Sequence, residues 1–334
     1  MEYVRLGTSG LQVSRIVLGC MSFGSPTWHS WVLNERASKP ILKKALDLGV
    51  NFFDTSDIYS AGLSEEIIGR HVLRHVPRDK VVIATITHNH SGRRPNYLGI
   101  SRKQIFDAID LTLKRMKTDY IDIYQIPRFD WETTPEETME ALHDVVKAGK
   151  TRYIGASSML AYQFQRHQNI ADKNGWTKFT SMSNHYNLVY REEEREMIPY
   201  CRETGVGLIP WSPLARGLLA GNRKPNSGTT KRGREDQQSQ NLYGKGSDFA
   251  VVAEVEKIAK KRGVKLAQVA IAWLLAKPGV TGPIIGATKA EHVTDAVGAV
   301  SIKLTAEEIA ALEKPYVPHA VLGFDPTGAT ATMR

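Results

Sequence analysis

A carboxylate and a phenol lie five positions apart in the segment Asn51-Phe-Phe-Asp54-Thr-Ser-Asp-Ile-Tyr59. Asp54 ends a short apolar run that is typical of a buried strand, and Tyr59 follows it within the reach of one loop. The two side chains could act together as an acid and its electrostatic partner. The same spacing suits an Asp that caps the next helix and a Tyr that packs on a rim, and spacing alone favours this structural interpretation.

Three histidines are further candidates, because imidazole titrates near neutral pH. His88 continues the period-two alternation of Ala84 and Ile86, which predicts that it lies on the same strand face and nearer the strand end, where it could act as an acid or a base. His88 and His90 lack a nearby carboxylate or Cys at a ligand spacing, so we predict no metal site, and His90 suits a solvated loop. His185 is a catalytic candidate, although a hydrogen-bonded structural histidine is the favoured interpretation.

Short runs rich in Val, Ile, Phe and Tyr alternate along the chain with longer amphipathic segments, a pattern that predicts βα units around a parallel sheet. The predicted strands are 16–19, 51–54, 81–87, 120–126, 152–156, 179–183, 206–211 and 283–286, and the predicted helices include 38–48, 64–73, 103–116, 135–148, 160–174 and 192–202. Eight such units predict a single α/β domain over residues 1–334, a (β/α)8 or TIM barrel. In that fold, reactive groups come from the carboxyl ends of the strands.

Three segments lie outside the repeating units. Residues 1–13 are predicted to form an N-terminal β-hairpin that plugs the bottom of the barrel, with its turn at 7–10. Residues 221–247 are predicted to be a long loop after the seventh strand, and residues 314–334 a C-terminal tail rich in Pro, Gly and Thr.

Composition limits the classes of partner. The 334 residues are 42% hydrophobic and contain no apolar run of membrane-spanning length, so we expect a soluble protein with no membrane partner. Cys20 and Cys201 form no disulfide framework, and the polar N-terminus lacks a signal peptide, so we expect a cytoplasmic location. The net charge of +9 suggests an anionic ligand. The basic segment 223–234 lacks the interleaved aromatic residues of a nucleic-acid surface, so we predict a small-molecule substrate and no nucleic acid.

Nearly the whole chain resembles the aldo-keto reductase family, and most closely its fungal members linked to secondary metabolism. The stretches that carry the resemblance are 51–60, 62–69, 119–124, 149–155, 186–188, 283–286 and Trp211-Ser-Pro-Leu-Ala-Arg-Gly217. The resemblance implies a (β/α)8 barrel that binds NADP(H) in an extended pose and reduces a carbonyl group by hydride transfer.

The resemblance also implies a catalytic tetrad in which a Tyr donates a proton with help from an Asp, a Lys and a His. Asp54 and Tyr59 match two of these positions, whereas Ile86 stands where the family has Lys and Pro127 where it has His. Without the Lys charge, the pKa of a phenol tends towards its ordinary value of about 10. A buried Asp54 would also lack its counter-ion.

The cofactor positions implied by the resemblance are only partly retained. Ser157 and Ser158 stand at the family's Ser-Asn pair beside the nicotinamide, Ser183 stands at its Gln, and Tyr186 is the predicted ring-stacking partner. The distal half of the cofactor corresponds to Trp211, Ser212, Leu214, Arg216 and Gly217 for the pyrophosphate, and to Gly286, Thr288, Lys289 and His292 for the 2′-phosphate. The long segment 221–247 resembles the family's belt over the cofactor, with a solvated loop as the alternative.

Three functions remain open from the sequence. The first is a redox-neutral enzyme that dehydrates, cyclises or isomerises a secondary metabolite, using Tyr59, Asp54, His88 and His185 as acid–base groups. It is favoured because the changes are concentrated at the reactive end of the cofactor. The second is an NADPH-dependent carbonyl reductase with a modified proton relay, and the third is a non-catalytic subunit that binds NADP(H).

Overall fold

A computed structural model describes residues 1–87, 96, 98–224, 227–228 and 230–324. Its strands are β1 (Tyr3–Arg5), β2 (Gln12–Ser14), β3 (Val17–Gly19), β4 (Phe52–Ser56), β5 (Val82–Ile86), β6 (Ile121–Ile126), β7 (Thr151–Ser157), β8 (Phe179–Ser183), β9 (Gly207–Leu208), β10 (Arg223–Lys224), β11 (Ser227–Gly228) and β12 (Ile284–Gly286). Eight of them, in the order β12-β3-β4-β5-β6-β7-β8-β9, form one parallel sheet. Two backbone hydrogen bonds join its edges: Thr281 N donates to Leu208 O and Ile284 N to Pro210 O, both at 2.8 Å. The predicted (β/α)8 barrel is confirmed.

The N-terminal hairpin closes the bottom of this barrel, as predicted. β1 and β2 pair in antiparallel register. Leu6 and Val13 are fully buried and pack with Val17 and Phe52, which open the first two barrel strands. The turn must be tight, because a Cβ added at Gly7, which has φ of +55°, would lie only 2.2 Å from a backbone carbonyl oxygen of the barrel.

Helices pack around the outside of the sheet. They are α1 (Glu35–Asp47), α2 (Leu63–Ile68), α3 (Arg102–Met116), α4 (Pro135–Lys147), α5 (Ala161–Asn174), α6 (Met197–Thr204), α7 (Lys231–Glu235), α8 (Gln237–Leu242), α9 (Asp248–Arg262), α10 (Leu266–Ala276), α11 (Ala290–Ala299) and α12 (Ala306–Glu313). Two predicted helices differ from the observed ones. The helix predicted over 64–73 changes after α2 to a π-helical turn, Gly69–Leu73, and the one predicted over 192–202 divides into a 3₁₀ turn, Glu192–Glu194, and α6.

The segment predicted as a long loop, 221–247, contains regular structure. β10 and β11 form a short hairpin, and α7 and α8 follow it. The Thr230 side chain caps α7 by accepting from Gly233 N, and the Asp236 side chain caps α8 by accepting from Ser239 N. These helices lack the apolar periodicity that marks a longer helix, so capping residues were the available signal.

The described part of the C-terminal tail runs along the mouth of the barrel, at the carboxyl ends of the strands. Leu322 N donates to Tyr190 Oη at 3.1 Å, and the Tyr316 hydroxyl donates to Glu192 at 2.5 Å. These bonds hold the tail beside the loop that follows β8.

Within the described residues, none of the helices has both the length and the apolar composition needed to cross a bilayer.

A buried ion pair links α2 to α3, and it leads to a stability prediction. Glu65 is completely buried and accepts hydrogen bonds from Thr85 Oγ1, Thr112 Oγ1 and Arg115 Nη1, each at 2.9 Å. Arg115→Met leaves this carboxylate without a cation, so we expect the free energy of unfolding to fall by about 3–5 kcal/mol. Urea unfolding measures the change.

The matched control is Lys43→Met, which removes an exposed pair with Asp47 and should cost less than about 1 kcal/mol. A loss of similar size for both variants would show that the two threonines alone satisfy Glu65.

Candidate active site

Asp54 lies near the end of β4, inside the barrel, and its side chain is buried. Its carboxylate accepts a hydrogen bond of 3.0 Å from Gln125 Nε2 on β6. Within the described part of the chain, no Lys, Arg or His nitrogen lies within 4.0 Å of it. Burial raises the pKa of Asp54 to about 7, although the bond from Gln125 works in the opposite direction. Asp54 therefore takes up a proton at a much higher pH than an exposed aspartate does.

Tyr59 begins the 3₁₀ turn that follows β4, and its half-buried ring lies 5.9 Å from that of Trp28. Burial and then the charge of Asp54 raise the pKa of the phenol well above its ordinary value. The charges of Arg216 and Arg128 act in the opposite direction. The structure thus brings Asp54 and Tyr59 into one electrostatic environment, in which the phenol is neutral over the physiological pH range.

Ile86 and Pro127 lie at the ends of β5 and β6. Ile86 pairs with Gln125 in the sheet and is half-buried, and Pro127 directly follows β6. The polar neighbour of Asp54 is therefore the amide of Gln125, with alkyl side chains at the two positions where the family resemblance implies Lys and His.

Arg128 was missed by the sequence analysis. This half-buried guanidinium donates to Pro127 O, to Ser157 Oγ at 3.2 Å and to Gly323 O at 3.2 Å. Burial lowers its pKa to about 10, so it remains charged at neutral pH. The available signal was its position, since a cation two residues beyond a barrel strand lies at the mouth.

The three serines predicted near the nicotinamide lie together at the ends of β7 and β8. Ser157 Oγ donates to Ser183 O at 2.9 Å, and Ser158 Oγ accepts from Trp211 Nε1 at 2.8 Å. All three serines are buried. The hydroxyls of Ser157 and Ser158 hold the two strand ends and Trp211 in place, so a ligand that binds them must share them with these internal hydrogen bonds.

Tyr186 does not lie at the mouth, contrary to the prediction that it stacks on the cofactor ring. Its hydroxyl donates to Glu194 at 2.5 Å, and its buried ring packs 5.2 Å from that of Trp273 in the outer core. Side chains alternate along an extended chain, so Ser183 and His185 point one way and Tyr186 the other. The half-exposed indole of Trp211 is the aromatic surface at this place.

His185 is fully buried between two rings, Tyr190 and Trp211, each with its centre 4.1 Å away. Its Nε2 is hydrogen-bonded to the Tyr243 hydroxyl. Burial lowers its pKa to about 3, so the ring is neutral. The predicted acid–base role needs an accessible imidazole, which this stack does not provide. His185 instead positions Trp211.

His88 and His90 lie outside the described residues, and the acid–base role of His88 stays a prediction. Among the residues that are described, no three His, Cys, Asp or Glu side chains group closely enough to hold a metal ion.

The loop after β9 has a tightly turned backbone. Ser212, Ala215, Arg216 and Gly217 have φ of 54°, 46°, 53° and 101°, all in the left-handed region, and Leu214 lies half-buried between them. Ala215 N donates to Ser212 O and Gly217 N to Leu214 O, both at 2.9 Å, so the charge of the Arg216 side chain is what this loop offers to an anion. The Arg216 guanidinium pairs with Asp236 at 2.6 Å.

The end of β12 adds positive charge to the same rim. A Cβ added at Gly286 would lie 3.8 Å from Arg232 Nη1, so this guanidinium covers the strand end. Arg232 pairs with Asp236 at 3.0 Å and stacks 4.1 Å over Trp31. Exposed Lys289 directly precedes α11, whose N-terminus favours anions.

Beside Lys289, the side chain of His292 takes part in capping the start of α11. Thr288 N donates to His292 Nδ1 at 3.3 Å, so His292 caps this turn with an exposed ring.

The chemistry of these donors fits the phosphates of NADP(H). Two arginines share one aspartate, which leaves an excess of positive charge beside Lys289. At the nicotinamide end, the exposed part of the Trp211 indole is a suitable surface for the cofactor ring. The hydroxyls of Ser157 and Ser158 there are already bonded within the protein.

Known proteins resemble this chain over almost its entire length. It is 48% identical to the versiconal hemiacetal acetate reductase of Aspergillus parasiticus, with 96% of this chain and 98% of that protein covered. It is 44% identical to the aldo-keto reductase AMT2 of Alternaria alternata (94% and 91% covered) and 44% identical to the aldo-keto reductase dtxS3 of Metarhizium robertsii (97% and 93%). The sequence pattern of the aldo/keto reductase family matches residues 15–316. The chain belongs to the aldo/keto reductase family.

Proposed function

We propose that this protein is an NADPH-dependent carbonyl reductase that acts on a small molecule of fungal secondary metabolism. The observation that carries the proposal is the cluster of Arg216, Arg232 and Lys289 at the ends of β9 and β12. This cluster supplies positive charge for the cofactor phosphates, on the same rim that holds Asp54 and Tyr59. Relatives named as reductases support this function.

NADPH supplies a hydride when it is bound. The neutral phenol of Tyr59 donates a hydrogen bond to the carbonyl oxygen of the substrate and transfers its proton as that oxygen becomes an alkoxide. The charges of Arg128 and Arg216 stabilise the phenolate that remains, and a proton from water restores the phenol. Protonation of Asp54 near pH 7 removes a negative charge that opposes this transfer.

The charges of Arg128 and Arg216 favour the reductase over the redox-neutral enzyme. The redox-neutral hypothesis followed from the absence of a Lys charge beside Tyr59. Arg128 and Arg216 both lower the pKa of the phenol, so the site keeps cationic support for proton transfer. The redox-neutral enzyme remains a second candidate because Asp54, with a pKa of about 7, is itself suited to acid–base catalysis.

Two assays separate the candidates. The purified protein is mixed with NADPH and an aromatic aldehyde such as benzaldehyde, and loss of absorbance at the nicotinamide band is followed together with alcohol formation. Equal amounts of NADP⁺ and alcohol support the reductase. NADPH binding without turnover on any member of a broad carbonyl panel contradicts it.

Lys289→Met is expected to weaken NADPH binding about tenfold or more, because it removes a charge-assisted bond to the 2′-phosphate. NADH lacks that phosphate, so its dissociation constant should change less than about twofold. Fluorescence titration measures both constants. Lys114→Met, at an exposed position on α3, serves as the control and should alter neither. Equal weakening for the two cofactors would place Lys289 away from the 2′-phosphate.

A further inference from the structure

Arg128 differs from the other half-buried arginines around the barrel in what it contacts. Arg216 and Arg232 share Asp236, and Arg115 pairs with Glu65. Within the described ranges, by contrast, Arg128 donates only to neutral oxygens, and no carboxylate lies within 4.0 Å of it. A half-buried cation without a counter-ion attracts an anion from solution.

The described contacts leave part of the Arg128 guanidinium open. The guanidinium has five N–H groups: two on Nη1, two on Nη2 and one on Nε. Nη1 donates to Pro127 O and to Ser157 Oγ, and Nη2 donates to Gly323 O. Within the described residues, Nε–H and the second hydrogen of Nη2 have no acceptor. Two neighbouring donors of this kind match the two oxygens of a carboxylate.

Nearby groups do not cancel this charge at neutral pH. Glu193 acts on Arg128 electrostatically, but burial raises the pKa of Glu193 to about 8, which keeps this carboxyl mostly protonated at pH 7. Arg128 and Arg216 both lower the pKa of His185, so positive charge dominates this side of the mouth.

Three elements hold the guanidinium in place before any ligand arrives. Its bonds reach the end of β6, Ser157 at the end of β7 and Gly323 in the C-terminal tail. Gly323 has φ of +94°, and a Cβ added there would lie 3.1 Å from the Trp211 indole, so only glycine brings this carbonyl to Arg128 without strain. A donor fixed in advance loses little freedom on binding.

We propose that Arg128 binds a carboxylate of the substrate, and that the preferred substrates are small carbonyl compounds that also carry a carboxylate. This inference rests on the proposed reductase function and names its substrate class. Arg128 and Tyr59 are near enough for each to affect the pKa of the other, so one small molecule can present its carbonyl to Tyr59 and its carboxylate to Arg128.

The test compares 3-formylbenzoate with its neutral methyl ester as substrates for NADPH oxidation. We expect kcat/KM for the carboxylate to exceed that for the ester by about tenfold or more. In Arg128→Gln, kcat should fall for both substrates, because the Tyr59 phenolate loses one of its two supporting charges. The carboxylate should lose about tenfold more in kcat/KM than the ester, and this additional loss should appear in KM. Arg128→Lys, which keeps the charge and loses the paired donors, should give an intermediate loss.

Arg166→Gln, at an exposed position on α5, is the matched control and should change neither substrate. An equal preference for acid and ester in the unmodified protein would overturn the proposal. A loss in Arg128→Gln that is equal for both substrates would overturn it too, since it would limit Arg128 to supporting Tyr59 and give it no contact with the substrate carboxylate.

A binding measurement separates this proposal from the reductase function. Calorimetry with benzoate should detect binding to the unmodified protein and to Arg128→Lys, and at least tenfold weaker binding to Arg128→Gln. Benzoate binding that depends on Arg128, without NADPH oxidation on any carbonyl, supports the anion site and contradicts the reductase. Ester reduction with no benzoate binding supports the reductase and overturns the anion site.

Asp325 lies two residues beyond Gly323 in the sequence. Because it is acidic and close in sequence to a tail residue that bonds to Arg128, a further variant tests whether it pairs with this guanidinium. Asp325→Asn should leave the benzoate dissociation constant unchanged. A tenfold tighter constant would show that Arg128 has an internal carboxylate partner, which would overturn the proposal.

Discussion

Tyr59→Phe is expected to lower kcat for carbonyl reduction by about 10²- to 10⁴-fold, the range typical of a lost general acid. The variant removes one hydroxyl and keeps the ring that packs near Trp28. NADPH affinity should therefore change little, because the phosphate-binding residues lie at the ends of other strands. Steady-state kinetics and fluorescence titration of the same preparation measure the two quantities.

Tyr162→Phe is the control for this variant, since that exposed hydroxyl lies on the outer surface of α5. Undiminished turnover in Tyr59→Phe would show that a group other than Tyr59 donates the proton. Asp54 would then be the next candidate, because its pKa of about 7 suits the task.

Asp54→Asn is expected to stabilise the folded protein, by an amount that grows with pH. Burial raises the pKa of Asp54 from its ordinary value of 3.8 to about 7 in the folded chain. Between these two values folding takes up a proton, so the free energy of unfolding falls as pH rises through this window and is constant above it. The full difference corresponds to about 4 kcal/mol.

Asparagine carries no charge and so avoids this loss. We expect the free energy of unfolding of the variant to exceed that of the unmodified protein by about 4 kcal/mol at pH 8 and by less than half of that at pH 5, as measured by urea unfolding. Gln125 Oε1 is buried with no partner in the described part of the chain, so an amide at position 54 can donate to it. Because the amide also removes the negative charge that opposes proton transfer from Tyr59, the variant should keep its reductase activity.

Asp47→Asn tests whether any loss of an acidic charge would have this effect. Asp47 is exposed and pairs with Lys43, so this change should shift stability by less than about 1 kcal/mol at either pH. A difference for Asp54→Asn that is the same at pH 5 and pH 8 would contradict a buried carboxyl with a raised pKa.

The strands of the barrel could be predicted because they are short, apolar and bounded by turn residues. Each of the eight lies within its predicted segment, give or take two residues. The hairpin was predictable from its turn, whose Gly7 requires a left-handed backbone. The helices α7 and α8 were not, since polar sequences of five or six residues carry no helical periodicity.

The site was predictable in part. Asp54 and Tyr59 were found because a strand end and the loop after it must share the mouth of a barrel. Tyr186 was misplaced, because the choice between it and Trp211 depends on which way side chains point where a strand becomes irregular. Arg128 was missed since its importance comes from the tail residue Gly323, which lies 195 positions away in sequence.

Transfer of deuterium from the nicotinamide C4 of labelled NADPH to a carbonyl substrate tests the central claim most directly. Only one face of C4 is labelled in each of two experiments, with 3-formylbenzoate as substrate and mass spectrometry of the alcohol as the readout. A reductase predicts one deuterium on the alcohol carbon with one labelled face and none with the other. No deuterated alcohol with either labelled face, with the NADPH left unoxidised, would contradict hydride transfer at this site.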